Sequence, residues 1–185
     1  MKLNDLLVNS IVFDGILYDL DLSFNNVLDV LEILNNKSLL KELKLSMIVK
    51  LLIGSNELEY GDKLLLWKEI FEKYINKSSK EPVELDLDGN PMPIKDSEQL
   101  KSEKPIDLTE DASYIYASFR QIGINLFDEQ GKMHWEEFQA ILEALPDDTI
   151  IQKIIKIRLW KPRKGETSEY KAQMRELQKK YRLTS

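Results

Sequence analysis

The chain has 185 residues, 43% of them hydrophobic, enough for one full core or two small ones joined by a linker, and its formal net charge is −6. It has no cysteine and a single histidine, which excludes a disulfide framework, a thiolate nucleophile, a cysteine-zinc site and a His-x-x-x-His zinc pair. Asp5, Asn9 and Asp14 interrupt the first apolar residues, and no uncharged apolar run approaches the roughly 18 residues of a membrane span, so a cytoplasmic protein is expected.

From the N-terminus, Val8–Phe13 is β-branched and apolar, Asp14-Gly15 supplies the positive φ of a two-residue turn, and Ile16–Leu20 resumes the apolar pattern. This predicts a β-hairpin over residues 6–20, which needs helices to rest on. Ser23 is a candidate N-cap for a first helix with Phe24, Val27, Leu28, Leu31 and Leu34 on one stripe, ended by Asn35-Asn36. Ser38 opens a second helix running to Ile53, with Gly54 as its left-handed end. Leu39, Leu40, Leu43, Met47, Ile48, Leu51 and Leu52 give it an unusually wide apolar face and predict burial on two sides. A third helix runs from a cap at Asp62 to about Asn76 with Leu64, Trp67, Ile70, Phe71 and Tyr74 as its core stripe.

Residues 77–106 break the pattern with four prolines and few large apolar residues, and read as an acidic, largely flexible insert. Val83, Leu85 and Leu87 alternate with acids there, which leaves open a short extended piece or a segment that orders on binding. Asp107 and Glu110 have capping-box spacing and open a helix carrying Tyr114, Ile115, Ser118, Phe119 and Ile122 to Gly123. After a loop with Gly131 comes the stripe Trp135, Phe138, Ile141, Leu142 and Leu145, stopped by Pro146. Thr149–Trp160 is isoleucine-rich on a broad face, and Pro162 and Gly165 end it. A last helix from Ser168 has a narrow stripe of Tyr170, Met174, Leu177 and Tyr181 among basic residues, and would either dock on the core or project toward a partner.

The expected fold is therefore mainly α: about seven amphipathic helices with a small N-terminal β-hairpin and a flexible acidic insert. Residues 1–76 hold the hairpin and three helices, and residues 107–185 the C-terminal helices and basic tail, the two sharing one core. Charge is divided unevenly: residues 1–152 carry 15 Lys+Arg against 29 Asp+Glu, and residues 153–185 carry 11 against 3. An acidic body bears a basic tail.

Each chemical motif meets an opposing reading. With Gly131 at the sixth position, residues 126–137 imitate a calcium loop through Asp128 and Glu137, but Leu126 and Gln130 stand where the first and fifth ligands belong. A helix-loop-helix joint is the expectation. Asp86-x-Asp88-x-Asn90 has Pro91 in place of the turn glycine. His134 has no nucleophile elbow to serve and reads as a cap or packing residue, and the adjacent Glu136 and Glu137 diverge by about 100° on a helix and cannot act as a facing pair. No phosphate-binding glycine pattern occurs. A non-enzyme without metal or cofactor is expected. Lys153, Lys156, Arg158, Lys161, Arg163 and Lys164 could neutralise phosphates, which makes a small nucleic-acid-binding regulator the rival reading, opposed by the acidic body.

Asp111-Ala-Ser-Tyr-Ile-Tyr-Ala-Ser-Phe119, Gly123-Ile-Asn-Leu126, His134-Trp135 with Phe138, Leu142 and Leu145, Asp148-Thr-Ile150, Lys153-Ile-Ile155 and Arg158 together resemble the bacteriophage "gp-fifteen" family of siphophages and prophages of Gram-positive bacteria. The hairpin, the helix from Phe24 to Leu34 and the acidic stretch extend the resemblance over most of the chain. Glu136 departs from the aromatic that the family usually has after the tryptophan. The resemblance implies a tail assembly chaperone that binds the tape measure protein, helps gather tail tube protein around it, works in the bacterial host cytoplasm and is absent from the mature virion. No catalytic residue carries over. Candidate partner-binding residues are Trp135, Trp160, Arg158, Lys161, Arg163, Lys164, Tyr170, Met174, Arg175 and Tyr181. The charge asymmetry adds self-association as a further possibility.

Overall fold

The computed structural model describes residues 4–76 and 105–184. Of the insert expected at 77–106, all but the last two residues lie outside them. The described chain divides into two compact units, residues 4–76 with 129–140 and residues 105–128 with 141–184. Residues 129–140 thus belong to the first unit, and the second is built from two separate stretches of chain.

In the first unit, β1 (Ser10–Phe13) and β2 (Ile16–Asp19) pair antiparallel with Phe13 opposite Ile16. Asp14 and Gly15 have φ of 48° and 74°, the paired left-handed geometry of a type I′ turn, whose twist suits a two-residue hairpin. Ile11 is buried on one face, while Val12 and Leu17, directly opposite each other on the other face, are 62% and 64% exposed. Then follow α1 (Phe24–Asn35), α2 (Lys41–Ile53) and α3 (Tyr60–Ile70), the last continuing into a π-helical turn over Phe71–Ile75. α1 packs on α2 and α2 on α3. Gly54 ends α2 at φ 71°, as its position predicts. Leu40 and Glu59, in place of Ser38 and Asp62, stand at the helix starts: the Ser38 amide donates to Asn36 Oδ1 in the preceding turn, and α3 begins two residues before Asp62.

α5 (Trp135–Glu143) contributes its residues through Ala140 to this unit. Its start is stitched to the segment before α1 by two backbone bonds, Phe24 N–H to the Met133 carbonyl (3.0 Å) and Trp135 N–H to the Leu22 carbonyl (2.8 Å). Phe24 stacks on Phe138 at 5.1 Å and Phe138 on Trp135 at 5.6 Å. Trp135 also donates its indole N–H to the Ile75 carbonyl at the end of the π turn (3.2 Å), which closes α1, α3 and α5 around one aromatic cluster. Residues far apart in the chain therefore share this core by stacking, with the buried indole N–H satisfied.

The second unit holds α4 (Ala112–Gln121), α6 (Ile150–Arg158) and α7 (Ser168–Lys180), with α6 packed on both of the others. Ile115, Phe119, Leu126, Leu145, Ile151 and Ile154 form its core. The helix predicted from Asp107 begins five residues later, because the Asp107 carboxylate instead accepts from Thr109 N–H and Glu110 N–H and shapes a separate turn. Thr167 caps α7 by accepting from Tyr170 N–H (3.2 Å).

Candidate functional site

Asp111 and Arg158 form the polar centre of the second unit. Asp111 is 1% exposed and accepts two parallel bonds from the Arg158 guanidinium, Nη1 to Oδ2 at 2.6 Å and Nη2 to Oδ1 at 2.8 Å. Two more of its five N–H donors reach the carbonyls of Tyr181 (2.6 Å, from Nε) and Pro105 (3.0 Å, from Nη1). One side chain thus ties α6 to the start of α4, to the end of α7 and to residue 105. The bond to Asp111, followed by its negative charge, holds the Arg158 pKa above the usual guanidinium value against the opposing cost of burial. Nothing reactive is left exposed by this arrangement: it is a clamp.

The other polar residues of the central segment also serve the fold. Ser118, fully buried, accepts from Ile151 N–H (3.1 Å) and donates to the Tyr114 carbonyl (2.7 Å), so it joins α4 to the first turn of α6. Thr149, also buried, donates to the Pro146 carbonyl (2.7 Å). His134 is 7% exposed at the start of α5, where Nδ1 accepts from Glu136 N–H (3.1 Å) and Nε2 lies 3.2 Å from the Val8 carbonyl. The Nε2–H tautomer satisfies both contacts, making the imidazole a helix cap that also holds the N-terminal arm. In the calcium-like loop, Asn125 donates to the Asp128 carboxylate (2.6 Å), and Gly131, at φ 70°, donates its N–H to Asn25 Oδ1 (2.7 Å). Among the described residues no group of three or more His, Asp or Glu could hold a metal ion.

The candidate partner residues separate by environment. Trp135 is 3% exposed and faces the core of the first unit. Arg158 is spent on the clamp. Trp160 is half-buried against Tyr170 at 6.2 Å, Tyr181 meets Tyr114 at 6.1 Å, and Met174 is half-buried with them, so α7 docks on its own unit through its narrow stripe. Gln178 completes this face by donating to the carbonyls of Arg158 (3.1 Å) and Trp160 (2.9 Å). Of the ten, Lys161, Arg163, Lys164, Tyr170 and Arg175 remain exposed.

The surface with the strongest call for a partner was expected to be core. On α2 the buried residues are Leu45, Ile48, Val49 and Leu52. Leu40, Leu43 and Met47 are 73%, 48% and 37% exposed, with Leu51 half-buried behind them. Spaced by three, four and four residues, these form a second apolar stripe roughly opposite the core face of the same helix. α3 repeats the arrangement: Lys63, Leu66 and Ile70 face inward, whereas Tyr60, Leu64 and Leu65 are 48%, 48% and 59% exposed and Trp67 and Phe71 are half-buried, in mutual contact at 5.1 Å. Of the predicted α3 stripe only Ile70 is fully buried. Apolar spacing shows that a face exists, but its partner is fixed by which neighbours the chain supplies, and α1 and α3 both pack on α2 while leaving its second stripe uncovered.

A family model described as Bacteriophage Gp15 protein matches residues 3–183. No curated protein matches the chain, and no solved structure does.

Proposed function

Because the chain belongs to the Bacteriophage Gp15 protein family, we propose that it is a phage tail morphogenesis factor, a non-enzymatic assembly chaperone that binds the tape measure protein in the host cytoplasm and helps recruit tail tube subunits. The observation that carries this reading is the second apolar stripe of α2, Leu40, Leu43 and Met47 with Leu51. A tape measure protein is a long helical chain whose own apolar stripes would aggregate if left uncovered. A row of leucines and a methionine at i, i+3, i+7 and i+11 offers such a helix a complementary ridge. Methionine suits a surface that must accept successive, non-identical stretches of one long partner. Among the described residues no helix is long and apolar enough to cross a membrane, so these exposed side chains do not belong to a spanning helix there.

Co-expression with the tape measure protein of the same phage tests the reading. The wild-type chain is expected to raise the partner's soluble yield and to co-purify with it. Leu43 and Met47 are already about half covered, so closing the rest of each in a contact is worth roughly half of the about 1.5–3 kcal/mol of full burial, and Leu43→Glu/Met47→Glu should weaken capture by roughly tenfold or more. The same substitutions give up the half of each side chain that is already covered and should cost about 1–3 kcal/mol of stability, with circular dichroism checking that the variant is folded. Equal recovery of the tape measure protein with wild type, with the folded double variant and with no partner at all would sink the proposal.

A further inference from the structure

Lys171, Arg175 and Lys179 recur every four residues on α7 and fall within about 80° of one another around the helix. Arg175 and Lys179 are exposed and Lys171 half-buried, and the exposed Lys161, Arg163, Lys164 and Arg182 flank them in sequence. None of the three forms an ion pair with a described residue. Like charges at this spacing repel and work against the helix that carries them. Lys179 complements the C-terminal end of the helix dipole, but the apolar side of α7 is already spent on its own unit and Lys171 and Arg175 serve neither helix formation nor docking of α7.

The complement of this ridge is carried on the same chain. The first unit has eight Lys or Arg against fifteen Asp or Glu, whereas the second has twelve against ten. At the hairpin end of the first unit, the exposed Asp19, Asp21 and Glu137, three acids against the one cation Lys132, border an open cleft of about 390 Å³ lined also by Leu7 and His134, with room for an arginine or lysine side chain. The exposed Val12–Leu17 pair lies on the same hairpin.

We propose that the α7 ridge of one copy docks on the acidic hairpin end of a second copy, so that the protein self-associates through a heterologous contact. A second copy suits the ridge better than a nucleic acid does, since it presents an acidic surface and an exposed apolar pair together, whereas a polyanion would also meet the repulsion of the acidic first unit. Two unlike surfaces on one chain either dock reciprocally in a symmetric pair or propagate into rings or open filaments. This inference stands independently of tape measure binding.

Sedimentation of the full chain tests it, at about 20 mM and about 500 mM NaCl, where screening lengths differ severalfold. The weight-average mass should climb with protein concentration to at least twice the monomer at low salt, and return to the monomer at high salt. Lys171→Glu/Arg175→Glu/Lys179→Glu should be monomeric in both, as should Asp19→Lys/Glu137→Lys, with circular dichroism confirming that each is folded. Mixing the two folded variants should restore association, because each then offers the charge the other lost. Wild type that stays monomeric at low salt, a ridge variant that associates like wild type, or a mixture that stays monomeric would each overturn the proposal. So would ridge-dependent binding of a DNA or RNA oligonucleotide by a monomeric wild type, which would assign the ridge to nucleic acid.

Discussion

Arg158→Ala is the most severe single test of the second unit. The Arg158 side chain is 10% exposed and that of Asp111 1%, their contact is bidentate, and removing the guanidinium leaves a buried carboxylate with only the Asp107 N–H (3.0 Å) among the bonds described for it. Breaking a buried pair in this way costs about 3–5 kcal/mol. The described part of the unit is about 70 residues, and a domain of that size is stable by roughly 3–10 kcal/mol, so the loss is comparable to the whole. Asp111→Ala should cost less, because the guanidinium keeps the carbonyls of Tyr181 and Pro105. The double variant should be less destabilised than the two losses added together, with a coupling of about 2 kcal/mol or more. Arg158→Lys should not rescue, since an ammonium cannot reproduce the planar fork. Urea unfolding followed by circular dichroism gives the free energies, and hydrogen exchange locates the loss, expected in residues 105–128 and 141–184. If Arg158→Ala costs less than about 1 kcal/mol, or the two losses simply add, the clamp is not what holds this unit together.

Two further substitutions test the joints seen elsewhere. Trp135→Phe keeps much of the aromatic packing but leaves the Ile75 carbonyl without its indole donor, and should destabilise the first unit by about 1–3 kcal/mol, measured by chemical denaturation. Ser118→Ala removes both the acceptor for Ile151 N–H and the donor to the Tyr114 carbonyl at a fully buried position. It should cost about 1–3 kcal/mol, with hydrogen exchange rising first at the start of α6.

Much of the local structure is legible in the chain because its causes are local. Asp14-Gly15 dictates a type I′ turn, Gly54 ends α2, and the 3.6-residue period marks all seven helices among the described residues to within a few positions. Helix starts shift where a polar side chain has a competing use, as Asp107 does in its own turn. The family motif was also visible, and the structure gives its residues physical work: Asp111 and Arg158 are partners, Ser118 bridges α4 and α6, and His134 caps α5.

The candidate site was less legible. The sequence determines that α2 and α3 are wide-faced and that the tail is basic, because composition and spacing are properties of single segments. Which side of α2 is buried depends on α1 and α3 arriving at one side only, and Leu40, Leu43 and Met47 are left outward although their chemistry matches that of the buried residues. Trp135 reverses the case: an aromatic that looks available in sequence is enclosed because Ile75, 60 positions earlier, receives its N–H. The same holds for charge, since Arg158 is consumed by Asp111, whereas Lys171, Arg175 and Lys179 find no partner among the described residues. The periodicity of a segment fixes which residues share a face, and only long-range packing decides whether that face is covered by the chain itself or left for another molecule.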